Sequence, residues 1–365
     1  MIHVIPYHIG RGSWYPWYDI IYFDNQNVSF FEDENLELIE NKKIGEPPYY
    51  DILLKQISKI NIKSGDSLFF DSKYINVNLS PNELLDVTKN ISDKFGCKLF
   101  LVDDDNKNSF IDTDYLTYFS NVFNIENSNF NFNYFRYRSS KYKWIHNVEF
   151  IINPFLRNIK QKKINFIVGV DKLERLLSLK HIYDIGLNKD AYIGYSAYSK
   201  TYNDSELSDD VVNFRDNNLP IISDIPYEKS LVGNVNVEYP PLPLTLNSYV
   251  SCICETSILC DNDVHLSEKS FNPFISMNIP LILGSKHITT YLKNNGYWMA
   301  NDLFDLTPKN TIEEILNQFK SNLNIINNMS YSDLYDYYIS NIGNMQKNYY
   351  KIVNEKFIFD RNNYK

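Results

Sequence analysis

Short apolar runs alternate with stretches of helical length along most of this 365-residue chain, and that rhythm constrains the fold more than any other feature. The clearest instance begins at residue 164. A run over 164–168 reads as a strand, 172–183 as a helix and 191–195 as a second strand, and the pattern resumes over 248–255, 268–277, 281–283 and 288–295. Apolar strands joined through helices are buried on both faces and pair in parallel, because a parallel return needs a long crossover. The first 150 residues hold another alternation. Strands are predicted over 2–6, 19–23, 67–70 and 98–102, and a helix over 81–95, with Ser80 as N-cap, Pro81 in its first position and Gly96 as its stop. A helix is also read around 114–122 and strands around 130–137, while 200–247 reads as loop-rich. Two helices, over 311–327 and 331–350, close the chain. The fold class is therefore α/β.

Length and composition set further bounds. A single core stops growing near roughly 250–300 residues, so two domains are expected. The polar, basic segment 153–163, bounded by Pro154, reads as the linker between 1–152 and 164–330, with 331–365 as a C-terminal helix and tail. A net charge of −9 weighs against a protein that tracks nucleic acid, although Arg136, Arg138, Lys141 and Lys143 interleave with aromatics in a way that could meet a base or a glycan. Cys97, Cys252, Cys254 and Cys260 form no disulfide framework and read as free thiols in a reducing compartment. No leader and no apolar run of about 18 residues is evident, so a cytoplasmic protein without a membrane span is expected.

The most informative chemistry lies in Ser267-Glu268-Lys269-Ser270-Phe271, followed by Pro273, Pro280 and Leu281-Ile282-Leu283-Gly284. Ser267 is an N-cap residue type, and a helix start presents backbone N–H groups and a positive dipole that favour a phosphate. Lys269 adds a point charge suited to a diphosphate, and Glu268 can accept hydrogen bonds from ribose hydroxyls. Read alone, the same residues also suit a solvated capping pair. The helix is expected to break at Pro280, before a buried strand over 281–283.

This segment resembles the donor-site segment of glycosyltransferases: the α1,3-fucosyltransferases, the exostosin-like enzymes and a group of phage and giant-virus enzymes. Two further stretches carry the resemblance. Arg175, in Asp171-Lys172-Leu173-Glu174-Arg175, follows a strand and precedes Tyr183 and Gly186-Leu187, and Glu255-Thr256 ends a strand thirteen residues before Glu268. The similarity covers about residues 160–305 and does not reach the first 150. It implies the GT-B architecture, two Rossmann-like doubly wound domains facing a cleft, and a soluble enzyme of viral or phage type. It also implies transfer of a sugar from a nucleotide-diphosphate donor to an acceptor hydroxyl, inverting and independent of metal. Arg175, Glu255, Ser267, Glu268 and Lys269 would bind the donor in the second domain, and the first would bind a glycan, protein or modified-DNA acceptor. No cofactor is expected beyond the nucleotide sugar as co-substrate.

Other constellations compete for roles. Asp103 and Asp105 end the apolar run 99–102, as the metal-binding Asp-x-Asp of the GT-A fold does. Together with Asp71 they are equally candidates for the base that deprotonates an acceptor. His8 precedes Gly10 and Arg11 stands between Gly10 and Gly12 after the first strand, placed to touch an acceptor or a phosphate, and Trp14 and Trp17 nearby offer flat faces for an acceptor. His265 stands two residues before Ser267. The alternatives are a phage-type DNA glycosyltransferase acting on a modified base, a metal-dependent GT-A enzyme using Asp103 and Asp105, and a non-catalytic glycan- or nucleotide-binding protein.

Overall fold

A computed structural model describes residues 2–5, 22–23, 28–30, 53–54, 57–71, 81–103, 111–120, 122–124, 156–168, 171–195, 201–221, 242–354 and 358–359. They form an α/β protein with parallel sheets. The chain divides into two compact units, Met1–Lys141 with Lys356–Lys365, and Tyr142–Glu355. Among the described residues no helix is long and apolar enough to cross a membrane.

The described elements of the first unit are β1 (Ile2–Ile5), β2 (Tyr22–Phe23), β3 (Val28–Phe30), β4 (Ser67–Asp71), α1 (Pro81–Phe95), β5 (Lys98–Asp103), β6 (Ile111–Asp112), β7 (Leu116–Ser120) and β8 (Val122–Asn124). One sheet runs β3-β1-β4-β5-β7-β6, parallel from β3 to β7, with β6 antiparallel at its edge. The boundaries of α1 are those that Pro81 and Gly96 dictate, since Gly96 takes φ +65, a left-handed position that glycine occupies without steric cost. Leu84 and Ile91 of α1 pack on Leu68, Phe70, Leu99, Leu101 and Leu116. The helix expected over 114–122 is instead strand β7. Leu116-Thr-Tyr-Phe-Ser is rich in aromatic and β-branched residues and finds a ladder beside β5. The strands read around 130–137 lie outside the described residues.

The second unit holds β9 (Lys162–Val168), α2 (Leu173–Asp184), β10 (Ala191–Tyr195), α3 (Asp209–Asn218), α4 (Leu242–Leu246), β11 (Ser248–Cys254), β12 (Asp263–His265), α5 (Glu268–Ile275), β13 (Ile279–Leu283), α6 (Ile288–Asn294), α7 (Ile312–Asn328) and α8 (Tyr331–Asn354). A last short strand, β14 (Ile358–Phe359), belongs to the first unit, where it pairs with β2. Four strands form a wholly parallel sheet in the order β10-β9-β11-β13. β9 starts at Lys162, inside the segment read as a linker. Lys163 is buried, and its Nζ donates to the carbonyls of Asn327 at 3.0 Å and Met329 at 2.7 Å, tying the end of α7 to the sheet. α5 packs on β11 and β13, and α8 packs on α5 and β11.

Pro280 does not break the helix. α5 has already ended at Ile275, Met277 turns the chain at φ +52, and Pro280 lies inside β13 opposite Ser251. β13 is the edge strand of this sheet, where a residue without an N–H costs no ladder bond on its open side.

Candidate functional site

From β9 the chain crosses through α2 to β10 on one side, whereas β11 crosses through α5 to β13 on the other. The winding thus reverses between β9 and β11, and open α/β sheets bind ligands just beyond the carboxyl ends of the strands at such a reversal. The ladder itself opens there. β9–β11 pairing stops at Cys252 opposite Phe166, while β9–β10 pairing runs on to Val168 and β11–β13 pairing to Cys254.

Glu255 follows β11 directly at this opening and is 2 % exposed. Its carboxylate accepts from Ser267 N at 3.1 Å, Ser267 Oγ at 2.7 Å, Thr256 N at 3.1 Å and the hydroxyl of Ser270, with His265 Nδ1 at 3.8 Å. Burial pushes its pKa up, but His265, Lys269 and the hydrogen bonds from Ser267 and Ser270 outweigh burial, and the net shift is downward. A buried carboxylate held ionised in this way fixes whatever donates to it. Here that is the entry to α5: Ser267 is the N-cap and accepts from Lys269 N at 3.3 Å while donating to Glu255. Lys269 is half-buried in the first turn, its Nζ 3.5 Å from Ser267 Oγ. A fixed helix start carrying a lysine can receive a phosphate.

Arg175, in the first turn of α2, is 4 % exposed and donates from Nη2 to the carbonyls of Cys254 at 3.3 Å and Glu255 at 2.9 Å. It thereby clamps the carboxyl end of β11 from the α2 side. Lys172, at the N-cap of α2, donates to the carbonyl of Thr256. Beside them Asp171 accepts from Tyr195 Oη at 2.5 Å and Tyr202 Oη at 2.7 Å. Burial and this carboxylate push both tyrosines above their ordinary pKa. Cys254, at the strand end, is pushed up to about 12 by burial, as an inert core thiol is.

Four of the residues singled out in the sequence, Arg175, Glu255, Ser267 and Lys269, therefore converge at one strand reversal, and Glu268 opens the same helix. Asp71 and Asp103 end the adjacent parallel strands β4 and β5 at the carboxyl edge of the first unit's sheet. Asp105, His8, Arg11, Trp14, Trp17 and the Arg136–Lys143 run lie outside the described residues. Among the described residues no cluster of three or more His, Cys, Asp and Glu side chains could hold a metal ion. Ser270, Lys172 and the Asp171 pair of tyrosines were not foreseen. Ser267-x-x-Ser270 after a strand-ending glutamate was the available signal, since positions three apart share a helix face.

Gly284, just after β13, packs against this carboxylate. A Cβ there would stand 3.0 Å from Ile288 Cδ1 and 3.3 Å from Glu255 Cγ. Gly284→Ala is therefore expected to cost about 1–3 kcal/mol by overpacking and to loosen the Glu255 clamp. Chemical denaturation tests this; an unchanged midpoint would mean that the packing there yields freely.

No protein-family model, curated protein or solved structure matches this chain.

Proposed function

We propose that the chain is a glycosyltransferase whose second unit binds a nucleotide-diphosphate sugar at the β9/β11 reversal. The observation that carries this reading is the α5 entry, where a buried, ionised Glu255 fixes Ser267 and the first turn that bears Lys269. Lys269 and the helix N-terminus would take the diphosphate, and Glu268 the ribose. Arg175 adds its charge from behind the strand end, and Glu255 acts by positioning, its oxygens being engaged within the protein. The two units, each built on a parallel sheet, are read as the paired domains of a GT-B enzyme.

In the reaction the bond between the sugar's anomeric carbon and the diphosphate oxygen breaks as an acceptor hydroxyl attacks that carbon. Negative charge builds on the leaving diphosphate, where a preorganised cation and helix start stabilise it most. A carboxylate of the first unit takes the hydroxyl proton. Asp71 and Asp103, at neighbouring strand ends, and Asp105 are the candidates. The acceptor is a glycan, a protein or a modified base in DNA.

Hydrolysis of a nucleotide sugar without added acceptor distinguishes this enzyme from a binding protein: slow release of nucleoside diphosphate is expected, and its absence with every donor and acceptor would contradict catalysis. Activity is expected to survive EDTA, because Lys269 and the helix terminus serve where a metal would. Loss with EDTA and recovery with Mn²⁺ would favour Asp103 and Asp105 as metal ligands.

A further inference from the structure

One face of the second unit's sheet carries an apolar ledge beside the α5 entry. Side chains alternate along strands and paired residues share a face, so Gly194 and Ile167, which are paired, point to the same side. Ser251 is paired with Asn165, which puts Ile253, two residues on, on that same side. Glu255 lies two residues beyond Ile253, about 7 Å further along the strand, and its carboxylate reaches α5 across this face. Ile167 is 39 % exposed although its strand is the inner neighbour of both β10 and β11. Ile253 and Gly194 are partly open as well. The ledge spans three strands, about 10 Å at the usual strand spacing, at the point where the β9–β11 ladder has parted. The missing side chain at Gly194 leaves it flat: a Cβ there would only touch Ile167, at 3.5 Å.

We infer that this ledge receives the base of a nucleoside diphosphate whose phosphates lie at Lys269 and the α5 entry, an inference that rests on the donor-site reading above. A ligand that meets the charged α5 entry, which Glu255 holds, and an open apolar shelf that begins two residues back along the same strand carries an anionic group and a flat, weakly polar face on one small frame. A nucleoside diphosphate has both, and a base laid over Ile167, Ile253 and the flat backbone at Gly194 buries apolar surface on each side. The shelf thus supplies affinity for the nucleoside that the charged entry alone does not.

The test uses the full chain, with inorganic pyrophosphate and the diphosphates of uridine, guanosine, adenosine and cytidine as probes in calorimetric titrations. Gly194→Val builds methyl groups onto the ledge without a backbone clash, and Ile167→Asn makes an already exposed position polar. In both variants the best-binding nucleoside diphosphate is expected to weaken at least about tenfold, the scale on which burying one apolar side chain contributes, while pyrophosphate binding changes less than about twofold. Lys269→Ala is expected to weaken both probes. If both ledge variants bind the nucleoside diphosphate as the parent does while Lys269→Ala does not, the ledge is overturned and the donor site stands. Equal weakening of pyrophosphate in the ledge variants would also overturn it. If no probe binds the parent, the donor-site reading fails and the ledge falls with it.

Discussion

Replacing Lys269 by alanine is expected to lower sugar transfer by on the order of 10²-fold or more, the loss seen when one charge-stabilising group is removed from a reaction centre, while the protein stays folded. The side chain is half-buried in the first turn of α5 and is not one of the buried core residues. Its effect should therefore fall far more on turnover than on melting temperature, where the loss is limited to its share in holding Glu255 ionised. The charge matters because it sits on a helix start that does not have to reorganise as the diphosphate leaves. Arginine at this position should recover part of the activity, since the charge survives while its placement shifts. A Lys269→Ala variant with parental turnover would remove Lys269 from the reaction.

The second large effect is on Glu255, and it is on stability before activity. Glu255→Ala strips the acceptor from Ser267 N, Ser267 Oγ, Ser270 Oγ and Thr256 N and leaves His265 in a buried setting without the carboxylate. Removing one partner of a buried, hydrogen-bonded charge cluster costs about 3–5 kcal/mol, and for a unit of this size that lowers the melting temperature by roughly 10 °C. The pH dependence follows from the direction of the shift. The folded-state pKa of Glu255 lies below its ordinary value of 4.5, so its contribution is fully present above that value. It is lost as the pH falls below it toward the folded-state pKa. Glu255→Gln should therefore flatten the acid side of the stability profile below about pH 4.5, in addition to lowering the plateau. An acid limb identical to the parent's would show that Glu255 is not held ionised by its neighbours.

What could be read from the sequence was whatever depends on local signals. Pro81 and Gly96 bracket α1 because a fixed φ and a left-handed glycine act on the backbone where they stand. The runs over 164–168 and 191–195 declared their strands through short, largely apolar stretches set on either side of a helical one. Elements decided by partners were harder. β7 forms because β5 offers it a ladder, and Pro280 is tolerated because β13 is an edge, and neither circumstance is written in the segment itself. α3 carries acids in its first turn and Arg215 in its last, but in so polar a stretch the apolar stripe shrinks to Val211 and Phe214. At the site, Arg175, Glu255, Ser267 and Lys269 were legible as residue types at strand ends and a helix start. That Glu255 is engaged on all sides, and so holds α5 in place, depends on Ser270 and His265 arriving from later in the chain.

The most direct test of the account is a melting-temperature series against a panel of nucleotide-diphosphate sugars, run in parallel on the parent and on Lys269→Ala. A ligand at a hundred times its dissociation constant stabilises the fold by about 2.7 kcal/mol, which for a unit of this size is an increase of roughly 5–10 °C. The account predicts such a shift in the parent for at least one member of the panel and its loss in Lys269→Ala. A parent that no nucleotide sugar stabilises, or a shift that Lys269→Ala retains in full, would contradict it.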